Sequence, residues 1–298
     1  MALISRQTAE ENMARMIQFK ALAAALLAMF AYGVCASERN PGIEIGIAPF
    51  LPVKTLVQNY APLREYLQNR LHEPVTIVSA PDYKTYSKCI QNRDYPIIIA
   101  TANSAYLAWS DSEYIPLLQP LIYTRPVVVI AKDQELKQLS DLHGKTISMP
   151  DILAVVSMQG LQMLSEAGLV PERNVFIKNM QNHSAAVNLV ITGESTAAIV
   201  SDRALLQMPP STREKIKIAH TWEIGAAPGI VYLGSPDLPH DKLELISKAI
   251  YEFAQNTPEG KKMMKDIGYD GLIPMRPEEL RPLAPYGALL KKAMANNP

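Results

Sequence analysis

Phe50, Tyr83, Thr101, Asn103, Ser104, Tyr106, His183, Ser184, Ser201 and Asp202 share one kind of sequence context. Each stands just after a short apolar run, or in the first turns of the amphipathic stretch that follows one. Hydroxyls, a carboxamide and an imidazole placed this way can donate hydrogen bonds to a small polar or anionic molecule, and the aromatic rings can wall it. Each has a structural alternative. Thr101 and Ser104 flank a helix start and can cap it, as can Asp202 and Arg203. His183 can cap its helix or face solvent, and Tyr83 and Tyr106 can pack as ordinary core rings. Arg125 reads as a surface ion-pair residue.

Signatures of bond-making chemistry are missing from the same positions. No Gly-rich phosphate loop follows a strand, and no Ser sits in a Gly-x-Ser-x-Gly turn. His72, His143, His183, His220 and His240 are scattered without paired metal-ligand spacing. The pattern is therefore one of binding; no enzymatic activity, cofactor or metal is expected.

The elements that must hold these residues are legible from periodicity. Ile43 to Ile47 reads as a strand. Leu56, Tyr60, Leu63, Leu67 and Leu71 recur at helical spacing over Val53 to Leu71. Val75 to Val78 is a strand, Asp82 caps a helix over Tyr83 to Ile90, and Ile97 to Ala100 is a buried strand followed by a short helix over Ser104 to Trp109. Alternating strands and helices predict α/β lobes, each a mostly parallel sheet flanked by helices. In such sheets ligands sit beyond the carboxyl ends of the strands, which is where the listed residues fall.

A second series follows, with strands at Thr146 to Met149, Val175 to Lys178 and Ala197 to Val200, and helices at Ile152 to Ala167 and Ser184 to Ile191. The chain then returns through Ile230 to Leu233. The second unit thus interrupts the first, with crossings near Tyr123 to Val127 and Thr221 to Gly229. The expected division is a leader over 1–36, a first lobe over 37–125 and 228–298, and an inserted second lobe over 126–227.

The leader rests on Lys20 followed by an apolar run from Ala21 to Val34, with Val34 and Ala36 as the small residues a signal peptidase reads. The run is shorter than a membrane-spanning helix. Export with cleavage after Ala36 is expected; acylation at Cys35 fits less well, because Tyr32-Gly33-Val34 precedes it. Cleavage leaves Cys89, which reads as a small core residue.

Composition narrows the class further. The 298 residues are 48% hydrophobic and 19% charged, with 29 Lys+Arg against 29 Asp+Glu. That excludes a disordered chain, and no basic excess marks a nucleic-acid binder. Two cysteines exclude a disulfide scaffold or a four-thiolate zinc site. Losing Arg6, Arg15 and Lys20 with Glu10 and Glu11 leaves the mature chain one charge to the negative side. Any anion selectivity must come from local donors.

Several motifs together carry a family resemblance. Ile45-Gly-Ile-Ala-Pro-Phe50, Tyr60-Ala-Pro-Leu63, Ala80-Pro-Asp-Tyr83 and Ala105-Tyr106, then Asp141-Leu-His-Gly-Lys-Thr146, Asn182-His-Ser-Ala-Ala-Val187 and Gly193 to Ala198, resemble phosphate/phosphite/phosphonate-type substrate-binding proteins of ABC transporters. The resemblance implies a type II periplasmic-binding-protein fold, in which two lobes joined by two crossings close on a ligand. It also implies a periplasmic location, a permease or membrane-sensor partner, and a monomer. It places aromatic residues at positions matching Tyr83 and Tyr106, and a histidine at His183. Two departures stand out. The family's Ser/Thr-rich cluster after the Thr146 strand is replaced by Pro150-Asp-Ile-Leu-Ala-Val-Val-Ser157, leaving only Ser157. Its Val-Asp-Ser is replaced by Val200-Ser201-Asp202.

The leading expectation is a solute-binding protein delivering a small polar or anionic ligand to a permease. The degenerate anion loop leaves open a sensor or partner-binding module on the same fold. An exported enzyme is the third reading.

Overall fold

The computed structural model describes residues 42–223 and 227–296. The expected leader, with Cys35, lies outside the described residues.

Local sequence sets the elements. Strand β1 (Ile43–Ile47) buries Ile43, Ile45 and Ile47, and helix α1 (Val53–Leu71) buries Leu56, Tyr60, Leu63 and Leu67 along one stripe. Strand β2 (Val75–Ser79) leads to α2 (Tyr83–Gln91), whose first turn is capped by Asp82 accepting from the Thr85 amide at 2.6 Å. Strand β3 (Ile97–Ala100) is buried at every residue and feeds α3 (Ala102–Ser112) and β4 (Ile115–Pro120). The chain then crosses to β5 (Pro126–Ala131), β6 (Thr146–Met149), α4 (Val155–Glu166), β7 (Phe176–Asn179), α5 (His183–Ile191), β8 (Ala197–Ser201) and the short helices α6 (Asp202–Leu206) and α7 (Pro210–Arg213). After β9 (Ile216–Thr221) it returns to β10 (Val231–Gly234), α8 (His240–Asn256), α9 (Pro258–Asp266), β11 (Leu272–Pro274) and α10 (Ala284–Asn296).

Two sheets result. The first runs β11-β4-β10-β3-β1-β2 and the second β7-β6-β8-β5-β9. Both are mixed, with most strands running one way: β10 and β11 oppose the rest in the first sheet and β5 in the second. Parallel pairing is confined to β2-β1-β3 and to β7-β6-β8, the strands that helices connect. The strands next to the crossings, β10, β4 and β11 in one sheet and β5 and β9 in the other, pair antiparallel. β5 and β10, the strands that follow the crossings, run against the direction of the parallel core, whereas β4 and β9, which lead into the crossings, run with it. The strand–helix alternation carried no signal for that reversal.

Each sheet with its helices forms one lobe. The two crossings, β4 to β5 and β9 to β10, touch at Thr124 and Ala227. The Thr124 amide donates to the Ala227 carbonyl at 2.8 Å, and the Ala227 amide donates back at 3.1 Å. The core of the first lobe extends over the interface to Leu153, Val155, Val156, Met158, Val187 and Val190 of the second. A separate cluster, including Val128, Ile147, Met149, Leu164 and Ile199, sits inside the second lobe. Apolar packing thus helps to hold the lobes together. Cys89 packs half-buried against the first core.

Candidate functional site

The carboxyl ends of the strands in both lobes meet at a small cavity. Phe50 follows β1, Tyr83 opens α2, Thr101 precedes α3, His183 opens α5 and Ser201 ends β8, and all five line it. The start of α4 supplies Ala154, Val155 and Val156, and the crossings supply Thr124, Gly229 and Ile230. The volume open to water centres is ≈ 30 Å³, about two water positions. With the lobes in this position, the space admits a solute of only a few heavy atoms.

His183 is the most constrained polar group. It is 3% exposed, and its Nδ1 accepts the Ser201 amide at 3.2 Å. A nitrogen that accepts carries no proton, so the ring is neutral and Nε2 holds the hydrogen. Burial pushes its pKa down to about 3. The ring is positioned from both sides: Asn182 caps α5 by accepting from the Ala185 amide at 3.0 Å, and Ser201 caps α6 by accepting from the Ala204 amide at 3.2 Å.

Tyr83 is 1% exposed, and its hydroxyl has no hydrogen-bond partner among the described residues. Burial, with Asp151 nearby, raises its pKa, so it is a neutral donor. Thr101 Oγ1 donates to Asn103 Oδ1 at 3.0 Å, leaving its lone pairs as acceptors. Thr124 and Tyr269 pair through their hydroxyls at 3.2 Å on the crossing side. The start of α4 has no side-chain cap. The amides of Val155 and Val156 therefore remain without an intrahelical acceptor, at the positive end of the helix dipole. Arg203 lines the same space; among the described residues its buried Nε has no hydrogen-bond acceptor, and it lies 3.7 Å from Asp202 Oδ2. Tyr83, His183 and the start of α4 thus bring donors to the lining of one cavity. Donors of this kind can hold an acceptor-rich solute.

The other expected residues are placed elsewhere. Asn103 is fully buried and bridges the lobes, its Nδ2 donating to the Leu153 carbonyl at 2.8 Å. Ser104 points into the first lobe, beside Ser87, Leu107 and Leu290. Tyr106 faces Gly287 of α10 and stacks edge-on with Trp109 at 5.8 Å. Ser157 turns its hydroxyl to the Pro150 carbonyl at 3.1 Å. Ser184 lines an outer groove with Leu51 and Pro81. Asp202 sits at the crossing, accepting from the Arg125 and Arg203 amides at 3.1 and 2.8 Å. Arg125, read as a surface ion-pair residue, bonds Glu223 at 2.8 Å and lies 3.5 Å from Asp202. Asp151 accepts from the Leu153 amide at 2.8 Å. Burial, with Asp82 facing it from the other lobe, raises its pKa.

Residue-type reasoning passed over the backbone amides of Val155 and Val156, the pair Thr124 and Tyr269, and Gln159 and Gln207, which also line the cavity. Thr124 stands in the first crossing, where its position was a usable signal. Tyr269 follows the helix stop at Gly268 and had none.

Residues 45–280 match the family model described as ABC transporter, phosphonate, periplasmic substrate-binding protein. No curated protein matches the chain in sequence. Among solved structures, the fold is similar to PhnD1 of Prochlorococcus marinus, in complex with methylphosphonate, with a TM-score of 0.73 at 13% identity, covering 84% of this chain and 98% of that one. It is similar to a binding-protein component of an ABC phosphonate transporter from Pseudomonas aeruginosa, with a TM-score of 0.72 at 14% identity, covering 86% and 88%. A Xanthomonas citri protein bound to chloride ion aligns with a TM-score of 0.63 at 17% identity, covering 86% and 99%. At these identities the likeness is one of fold.

Proposed function

The chain belongs to the phosphonate-type periplasmic substrate-binding proteins of ABC transporters, and on that premise we propose that it captures a small oxyanion-bearing solute in the cavity between its lobes and presents the closed complex to a permease. The observation that carries this is the convergence of His183 Nε2–H, the unpartnered Tyr83 hydroxyl and the uncapped start of α4 on one enclosed space. A buried donor left unpaired costs about 1–3 kcal/mol. A ligand oxyanion that accepts from several such donors relieves that cost and favours the closed state over the open one.

The solute leaves as it entered: binding and release are the whole of the activity, without catalysis. Among the described residues no helix is long and apolar enough to cross a membrane. The proposed route is export through residues 1–36, cleavage after Ala36, and action in the periplasm as a monomer.

Thermal denaturation with methylphosphonate, phosphite, phosphate and methanesulfonate tests the reading. A ligand at a hundredfold its Kd stabilises by about 2.7 kcal/mol. Stabilisation by at least one of these oxyanions is expected. A flat response to all of them overturns the proposal.

A further inference from the structure

The charge state of the ligand can be inferred from the ions around the cavity; this step rests on the oxyanion reading above. Among the described residues Arg203 is the only Lys or Arg lining the space, and Asp202 Oδ2 lies 3.7 Å from its Nε. The second guanidinium nearby, Arg125, is 3.5 Å from Asp202 and bonds Glu223 at 2.8 Å. Two cations are therefore matched by two carboxylates. His183 adds no charge, because its Nδ1 accepts the Ser201 amide and an imidazolium could not. The neutral Tyr83 hydroxyl feels the charge of Asp151, which in turn feels Asp82 across from it, and both are acids.

What remains for an anion is dipolar. The start of α4 is equivalent to about half a positive charge, and the hydroxyl of Tyr83 and the Nε2–H of His183 are neutral donors. Hydroxyl side chains at the start of α4 would have added donors for further oxygens, but Ala154, Val155 and Val156 present only amides and methyl groups. A second negative charge in this enclosed space would face no counter-charge and would feel the acids behind Tyr83.

We propose that the cavity takes its ligand as a small tetrahedral monoanion, a singly protonated phosphonate or an isosteric sulfonate, and discriminates against the dianion. Phe50 and Ile230 provide an apolar wall for a methyl-sized substituent.

Calorimetric titration of the protein with methanesulfonate and methylphosphonate at about pH 5 and about pH 9, on either side of a phosphate-type second ionisation, tests this. Methanesulfonate should bind equally at both values. Methylphosphonate should weaken by about tenfold for each pH unit above its second ionisation, as the competent fraction falls. Asp202→Asn keeps the acceptor for the Arg125 and Arg203 amides while removing the charge. It should recover methylphosphonate binding at the higher pH. Methylphosphonate binding that is equal or tighter at about pH 9 overturns the inference, as does an Asp202→Asn variant with an unchanged pH response. Binding of neither compound at either pH overturns the oxyanion reading itself, and this inference with it.

Discussion

The backbone amide of His183 donates to the carbonyl of Phe50 at 3.2 Å, and the two residues belong to different lobes. The loop after β1 is thereby tied to the start of α5. Three side-chain bonds run the same way: Asn103 to the Leu153 carbonyl at 2.8 Å, Gln181 to the Pro81 carbonyl at 2.9 Å, and Asn59 to Gln207 at 3.3 Å. With the apolar residues shared across the interface, they define a closed arrangement in which the cavity walls are already assembled.

Asn103 is the most buried of these bridging side chains, so Asn103→Ala should act on closure. Removing its carboxamide leaves the Leu153 carbonyl unpaired and frees the Thr101 hydroxyl. A loss of about 1–3 kcal/mol in denaturant unfolding is expected. A larger radius of gyration in small-angle scattering should accompany it. Unchanged dimensions and stability would show that the bridge does not hold the lobes.

His183 makes stability depend on pH. Its folded pKa, about 3, lies below the ordinary histidine value of 6.5. The unfolded chain therefore binds the proton first, and stability is lost as pH falls from about 6.5 toward about 3. The slope is at most about 1.4 kcal/mol per pH unit. Denaturation between about pH 4 and 6.5 should show a shallower slope in His183→Gln than in the native chain. Equal slopes would mean the imidazole is not buried as described.

Gly229 lies against the paired hydroxyls of Thr124 and Tyr269, and a methyl group there would overlap both. Gly229→Ala should therefore force the crossing apart, with a cost of about 1–3 kcal/mol. Tyr269→Phe, which removes one hydroxyl of the pair, should relieve part of that cost. If Gly229→Ala unfolds at the same denaturant concentration as the native chain, the crossing is looser than the contacts indicate.

The substitution of apolar residues at the start of α4 can be reversed. Val155→Ser adds a hydroxyl beside an amide with no intrahelical acceptor. One added hydrogen bond is worth about 1 kcal/mol, or roughly fivefold in affinity. Methylphosphonate should bind Val155→Ser more tightly by about that factor. No gain would place the ligand away from this helix start.

Much of the fold was legible in the sequence because its determinants are local. The stripe Leu56, Tyr60, Leu63 and Leu67 gave α1 its bounds, and the cap Asp82 marked the start of α2. Of the expected candidate-site residues, those adjoining strand ends, Phe50, Tyr83, Thr101, His183 and Ser201, come together at one cavity, because sheet geometry alone points them to one edge. The residues expected within α3 lie away from that cavity. Which face of that helix meets the cavity is set by α10, far along the chain, and so Ser104 and Tyr106 face inward and toward Gly287 instead. Backbone donors such as the Val155 amide leave no trace in residue type.

Tyr83 and His183 are the groups proposed to bind an oxyanion in the interlobe cavity. Calorimetric titration of methylphosphonate into the native chain, Tyr83→Phe and His183→Gln at about pH 5, where the ligand is singly charged, tests this assignment most directly. Saturable binding to the native chain, weakened roughly tenfold in each variant by loss of one buried hydrogen bond, is expected. Binding of the same strength in all three proteins, or none to the native chain, would contradict it.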